Sequence, residues 1–293
     1  LVVGYSPTGV GDPAAVTLTP AAASGYVTVV NKTITSASGS DQITVARTSG
    51  TNTITLTGRI GATQPYATWP MSVDDPGLYA GQLFRAALAR QGVVVGAPGN
   101  APSSPESTVL ASHDSAPLRE VVATLLKQSN NGYAEHLVKT LGRVGDTPGT
   151  WDSGTGRVRS WLSGIGVPTA GVVLRDGSGF SLANRLAART LVQALDRARG
   201  LAWFDGFYAG LPVAGDPDWA VGGTLTDRMA GTPAAGDLRG KTGSLPGVTA
   251  LAGYVTGADG RRYTFALLSN FTGDSPVALE DQLGVLLAGW RHA

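Results

Sequence analysis

Apolar residues alternate with threonine over residues 16–19, 26–30, 42–46 and 53–57, the two-residue period of strands buried on one face, and residues 48–52 have the composition of a turn. The pattern predicts a small β-rich module over residues 1–70, with its threonines on outward strand faces rather than in a site. At Val73 the period changes: Asp74 or Asp75 can cap a helix whose first turn holds Pro76. Tyr79, Leu83, Ala87 and Leu88 form its apolar stripe, Gly92 ends it, and Val93-Val94-Val95 predicts the start of a strand. A domain boundary is placed near residue 70, and residues 97–107 read as a Pro/Gly/Ser loop.

The clearest periodicity follows. Leu118, Val121, Val122, Leu125 and Leu126 mark one helix, capped by Ser115, and Ala134, Leu137, Val138 and Leu141 mark a second, closed by Gly142. Ser129, Asn131 and Gly132 fall in the polar break between them. Further on, the pattern predicts a helix from residue 151, an extended segment at 172–174, a tight turn at Asp176-Gly177-Ser178-Gly179, a helix over 185–199 and a short one over 224–229. A strand meander over 238–244, 248–255 and 263–269 and a helix over 276–290, with Leu279, Leu283, Leu286 and Leu287 inward, complete the chain. The class read from this is α+β: an antiparallel sheet flanked by helices over residues 71–293, preceded by the β-rich module.

With 293 residues, 42% hydrophobic and 15% charged, the chain has the make-up of a globular protein long enough for two domains. Its 22 basic and 21 acidic residues give no electrostatic case for nucleic acid or an anionic membrane, which leaves small molecules or neutral polymers as partners. The absence of cysteine excludes disulfides and thiolate metal sites and fits an exported protein. No apolar run has the length of a membrane span. The chain begins Leu1-Val2-Val3-Gly4 without initiator Met or signal peptide, so an upstream segment is expected to have been removed or to lie outside this sequence.

Two short stretches carry chemistry. Lys241-Thr242-Gly243-Ser244 puts a lysine at the end of a predicted strand with two hydroxyls and a glycine that lets another backbone approach, a combination suited to an anionic substrate terminus lying along the strand. Ser129-Asn130-Asn131 sits between two buried helices, which aim its side chains in a fixed direction. Taken singly, Ser129 and Asn131 also fit as helix caps and Lys241 as a solvated strand end; their joint presence favours a site. Glu135-His136 lacks the partner histidine of an inverted zinc motif, since position 132 is Gly132, and no metal is expected. Residues 179–183 have only His292 as a downstream histidine, which disfavours a hydrolase nucleophile elbow.

Lys-Thr-Gly and Ser-x-Asn are two of the three boxes of penicillin-binding proteins and serine β-lactamases; the third, Ser-x-x-Lys with the nucleophile, is absent, because no serine here has a lysine three residues later. Leu126-Lys-Gln-Ser-Asn-Asn-Gly-Tyr-Ala-Glu-His-Leu137, Val173-Leu-Arg-Asp-Gly-Ser-Gly-Phe-Ser181, Leu211-Pro-Val-Ala-Gly215 and Gly222-Gly-Thr-Leu225 extend the likeness. Over residues 70–293 the chain resembles the low-molecular-mass class C penicillin-binding proteins, the D-alanyl-D-alanine carboxypeptidases and endopeptidases of the peptidase S13 type, and its actinobacterial members above all. Residues 1–70 more loosely resemble part of the accessory domain which that family inserts between its first two boxes.

The resemblance implies a role for each matching residue. Ser129 would relay a proton to the leaving amine and Asn131 would bond the backbone of the peptide stem. Lys241, with Thr242 and Ser244, would hold the free carboxylate of a terminal D-alanine; Gly243 would admit the substrate, and the N–H of Leu245 would serve an oxyanion hole. One departure stands out: Leu182 occupies a position where the family commonly has arginine, which puts the usual stem-peptide preference in question, with Arg185 a candidate to compensate. The implied parent function is cleavage of D-Ala-D-Ala in peptidoglycan stem peptides through a serine acyl-enzyme, outside the cytoplasm, with β-lactams as acylating analogues and no cofactor. The chain alone is expected to be inactive, its nucleophile coming from an N-terminal segment that carries Ser-x-x-Lys. A catalytically dead peptidoglycan-binding or scaffold module, and a β-lactamase, remain alternatives.

Overall fold

The computed structural model describes residues 1–101, 108–145 and 147–292, so residues 102–107 of the expected loop lie outside the described residues. Contacts divide the chain into two compact units, Leu1–Ala111 and Ser112–Ala293.

The first unit holds strands β1 (Val2–Ser6), β2 (Ala15–Thr19), β3 (Thr28–Ser36), β4 (Thr44–Arg47), β5 (Thr53–Gly61) and β6 (Ala67–Pro70), followed by helix α1 (Pro76–Arg90). They form two three-stranded sheets, β2-β1-β6 and β3-β5-β4, with β3 and β5 parallel. The four strands read from the sequence are β2 to β5; β1 and β6 went unread because Gly4 and Pro70 interrupt their alternation. Val3, Tyr5, Ile54, Leu56 and Ile60 form the core. Asp75 caps α1 by accepting from the Leu78 N–H, as expected. Because α1 packs on the 3-10 turn Ala21–Gly25, it belongs with the first unit, and the division falls after Ala111 rather than near residue 70. Val93-Val94-Val95 is not a strand: no ladder partner reaches it, and Val94 is 92% exposed.

The second unit begins with α2 (Leu118–Gln128), α3 (Asn131–Gly142), α4 (Trp151–Gly164), α5 (Ala188–Ala198), α6 (Phe204–Gly210) and α7 (Trp219–Gly222). The meander β7 (Arg239–Leu245), β8 (Val248–Thr256), β9 (Arg262–Asn270) and the helix α8 (Val277–Gly289) follow. Ser115 does not cap α2, whose N-cap is Pro117; the Ser115 hydroxyl instead bonds the Ala116 carbonyl. The predicted extended segment reduces to one bridge, Val173 with Arg185, and the short helix to a 3-10 turn, Gly223–Leu225.

Residue alternation gives the antiparallel sheet two faces. Leu251 and Val255 of β8 and Phe265 of β9 pack with Leu238 and Ala288, so α8 covers one face. Tyr254 points to the other, where Phe204, Leu211, Ala198 and Leu126 bury it among α2, α5 and α6. The buried positions of α8 are Glu280, Gly284 and Ala288, because the helix comes so close that a Cβ on Gly284 would stand 2.8 Å from Leu238. Leu279 and Leu286, expected inward, are 55% and 57% exposed.

Candidate active site

Register carries Lys241 to the helix side of the sheet. Arg239 pairs with Tyr254, Lys241 with Ala252 and Gly243 with Ala250, so all three share the face that Tyr254 occupies. The aromatic stack of Tyr254, Phe204 and Tyr208, at 5.4 to 5.6 Å between centroids, fixes α6 on that face, and α2 packs on α6. The C-terminal end of α2 thereby arrives opposite Lys241.

At that end the chain turns within one residue. Ser129 is the C-cap of α2 in the left-handed region, φ 53° and ψ 46°, a conformation disfavoured by about 1–2 kcal/mol for a residue with a Cβ. Asn130 then caps α3 by accepting from the Tyr133 N–H, which leaves Asn131 as the first helical residue, exposed. The sequence had Asn131 as the alternative cap; the structure gives that task to Asn130 and leaves the Asn131 amide without a hydrogen bond among the described residues.

Lys241 Nζ donates to Ser129 Oγ at 2.7 Å and to the Thr242 carbonyl at 2.7 Å. Two of the three ammonium donors are thus used, and one remains for an anion. Burial lowers the Lys241 pKa to about 8, because desolvation disfavours the charged form. Ser129 Oγ, with a lone pair taken by the ammonium, keeps its own proton to donate.

The outward edge of β7 supplies backbone donors. The Gly240 N–H leaves the β7–β8 ladder and donates to the Pro212 carbonyl, so the N–H groups of Thr242 and Ser244, in step with it, point out of the same edge. Leu245 is out of step: opposite Val248 across the Pro246-Gly247 turn, its N–H faces β8. The expectation that Leu245 provides an oxyanion donor is therefore corrected, and Ser244 is the residue whose N–H is available. Gly243 lies between Thr242 and Ser244 on the Lys241 face, where a Cβ would stand 3.3 Å from the Ala250 Cβ.

Three participants went unread in the sequence. Thr224 accepts from the Thr242 hydroxyl at 2.8 Å and so steers it. Lys127 anchors the loops behind β7. Glu135, examined in the sequence only for a metal motif, accepts from Trp151 Nε1 at 2.6 Å, from the Ser178 N–H at 2.9 Å and from the Gly177 N–H at 3.3 Å, and so ties the turn at 176–179 to α3. Burial alone would raise the Glu135 pKa, but these bonds outweigh it and hold the carboxyl below its usual range. Lysine and glutamate on helices otherwise read as solvated faces, and only their loop partners give them away. Leu182 and Phe180 on the following loop are 76% and 59% exposed, and Arg185 is turned back on the Leu182 and Asn184 carbonyls. No group of three or more His, Cys, Asp or Glu side chains among the described residues could hold a metal.

The fold is that of the penicillin-binding proteins: penicillin binding protein 4 (dacB) from Haemophilus influenzae superposes with a TM-score of 0.75, at 23% identity, over 99% of this chain and 66% of that one. Residues 2–289 match the D-Ala-D-Ala carboxypeptidase 3 (S13) family, and the chain belongs to that family. Among relatives, a D-alanyl-D-alanine carboxypeptidase of Actinomadura sp. (strain R39) is 43% identical over 98% of this chain and 54% of its own length. The carboxypeptidase DacB of Mycolicibacterium smegmatis is 36% identical over 78% of this chain and 49% of its own. The chain thus spans about half the length of the relatives it matches.

Proposed function

We propose that these 293 residues are part of a serine-type D-alanyl-D-alanine carboxypeptidase or endopeptidase that acts on peptidoglycan stem peptides outside the cytoplasm. The observation that carries this is the 2.7 Å contact between Lys241 and Ser129, which joins two boxes 112 residues apart in sequence. The remaining ammonium donor of Lys241 and the Ser244 hydroxyl take the terminal D-alanine carboxylate, joined by Thr242 when its hydroxyl proton turns from Thr224 to the ligand. The Ser244 N–H donates to the oxyanion that forms at the scissile carbonyl. Asn131 bonds the stem backbone, and the Ser129 hydroxyl passes a proton to the departing D-alanine nitrogen.

The attacking serine, with a lysine three residues on, is supplied by a segment outside these residues, as no serine here has that spacing. Two surfaces suit such a segment: β9 pairs only with β8 among the described strands, and α8 leaves Leu279, Leu286 and Trp290 exposed. β-Lactams, whose carboxylate and amide imitate the D-Ala-D-Ala terminus, acylate the same serine. The test is release of D-alanine from a stem pentapeptide by the complete protein. The proposal expects release that a penicillin abolishes; no release and no labelling by a fluorescent penicillin would favour a binding module instead.

A further inference from the structure

Lys127 sits two residues before Ser129, in the last turn of α2, and its side chain turns inward. Its ammonium donates to the carbonyls of Leu211, at 2.6 Å, and Val221. Burial lowers its pKa to about 8, helped by the nearby guanidinium of Arg239 on β7 and opposed by Asp216 of the loop after α6. The two carbonyl bonds offset the desolvation cost of holding a cation there.

Both carbonyls belong to segments that grip β7. Pro212, next to Leu211, accepts from the Gly240 N–H at 3.0 Å. Thr224, three residues beyond Val221, accepts from the Thr242 hydroxyl at 2.8 Å. Gly240 and Thr242 are the residues on either side of Lys241. The intervening Gly223, φ 51°, backs onto α2 so closely that a Cβ there would stand 2.5 Å from the Lys127 carbonyl. A closed ring of contacts results: from Ser129 along α2 to Lys127, through the two loops to Gly240 and Thr242, and across Lys241 back to Ser129.

We propose that Lys127 is a positioning residue that sets the separation of Ser129 and Lys241, fixing one side of the groove to the other through the 211–224 segment. Its ammonium is bound to two main-chain carbonyls behind β7, so its role is to position rather than to abstract a proton or touch substrate. This proposal rests on the serine-acylation reading for its kinetic consequence, and its structural consequence is read separately. In the complete protein, Lys127→Met removes the donors and keeps the bulk, while Lys127→Arg keeps charge and donors.

The expected results are an acylation rate constant for a fluorescent penicillin lowered by about tenfold to a hundredfold in Lys127→Met, at nearly unchanged non-covalent affinity, and partial recovery in Lys127→Arg. Amide hydrogen exchange should accelerate at residues 240–244 as well as at 221–224. A purely structural role predicts a lower Tm but wild-type acylation by the protein that remains folded, and this outcome, or exchange at 240–244 left unchanged, overturns the proposal. If the wild-type protein itself takes no penicillin, the functional reading fails on its own, and the ring stands or falls by the exchange at 240–244.

Discussion

Lys241 Nζ stands 2.7 Å from Ser129 Oγ, although the two residues come from different elements and from a strand and a helix end that make no ladder with one another. The contact exists because Lys241 shares a sheet face with Tyr254, and the aromatic packing on that tyrosine brings α6 and then α2 to it. Several consequences of this geometry are measurable.

Lys241→Ala removes an ammonium that is both a partner of Ser129 and a seat for a carboxylate. A charged hydrogen bond contributes about 1.5–3 kcal/mol, so penicillin acylation of the complete protein should fall by roughly tenfold to a hundredfold. Stopped-time labelling with a fluorescent penicillin measures it.

The depressed pKa of Lys241 predicts a pH dependence of binding. With a pKa of about 8, the ammonium is lost as pH rises through that value, and affinity for a non-covalent ligand anchored by its carboxylate should fall about tenfold per unit above it. A bound carboxylate raises the pKa, so Lys241 should take up protons from solution as the ligand binds near pH 8. Calorimetry in buffers of different ionisation enthalpy reads this uptake.

The same shift acts on stability. Between the folded value of about 8 and the ordinary 10.5, the unfolded chain holds a proton on Lys241 that the folded chain has lost, so the group's contribution to stability rises with pH across that window. Below it, the buried charge is a cost that Lys241→Met relieves. The Tm of Lys241→Met should therefore exceed that of the wild type most at pH 7, and the gap should narrow by pH 10.

Ser129 predicts a difference between two substitutions that both delete its hydroxyl. At φ 53° glycine is at ease and alanine is not, so Ser129→Gly should be more stable than Ser129→Ala by about 1 kcal/mol, while both lose acylation. Equal stabilities would mean that the turn relaxes when the hydroxyl is removed.

Much of this was readable beforehand. The repeat of Leu118, Val121, Val122, Leu125 and Leu126 located α2, although Leu118 itself is exposed, and the apolar run over 248–255 located β8, which is covered on both faces. α8 misled because its leucines and valines fall on several sides, so periodicity could not choose its inward face; Gly284 and Ala288, which permit close approach, took it together with Glu280, bonded by Arg228. Leu245 misled because the direction of a backbone N–H depends on ladder parity, which only the pairing of β7 with β8 and the bond from Gly240 to Pro212 disclose. Lys127 and Glu135 escaped notice since all partners of the first and two of the second are main-chain groups distant in sequence, and a main-chain carbonyl or N–H has no residue-type signature.

Mapping the β-lactam adduct tests the central claim most directly. The complete protein is incubated with a penicillin, digested, and the acylated residue located by mass spectrometry. The account predicts a single modified serine outside these 293 residues, followed three positions later by lysine, with Lys241→Ala slowing its modification. An adduct on any serine within these residues, or acylation indifferent to Lys241, would contradict it.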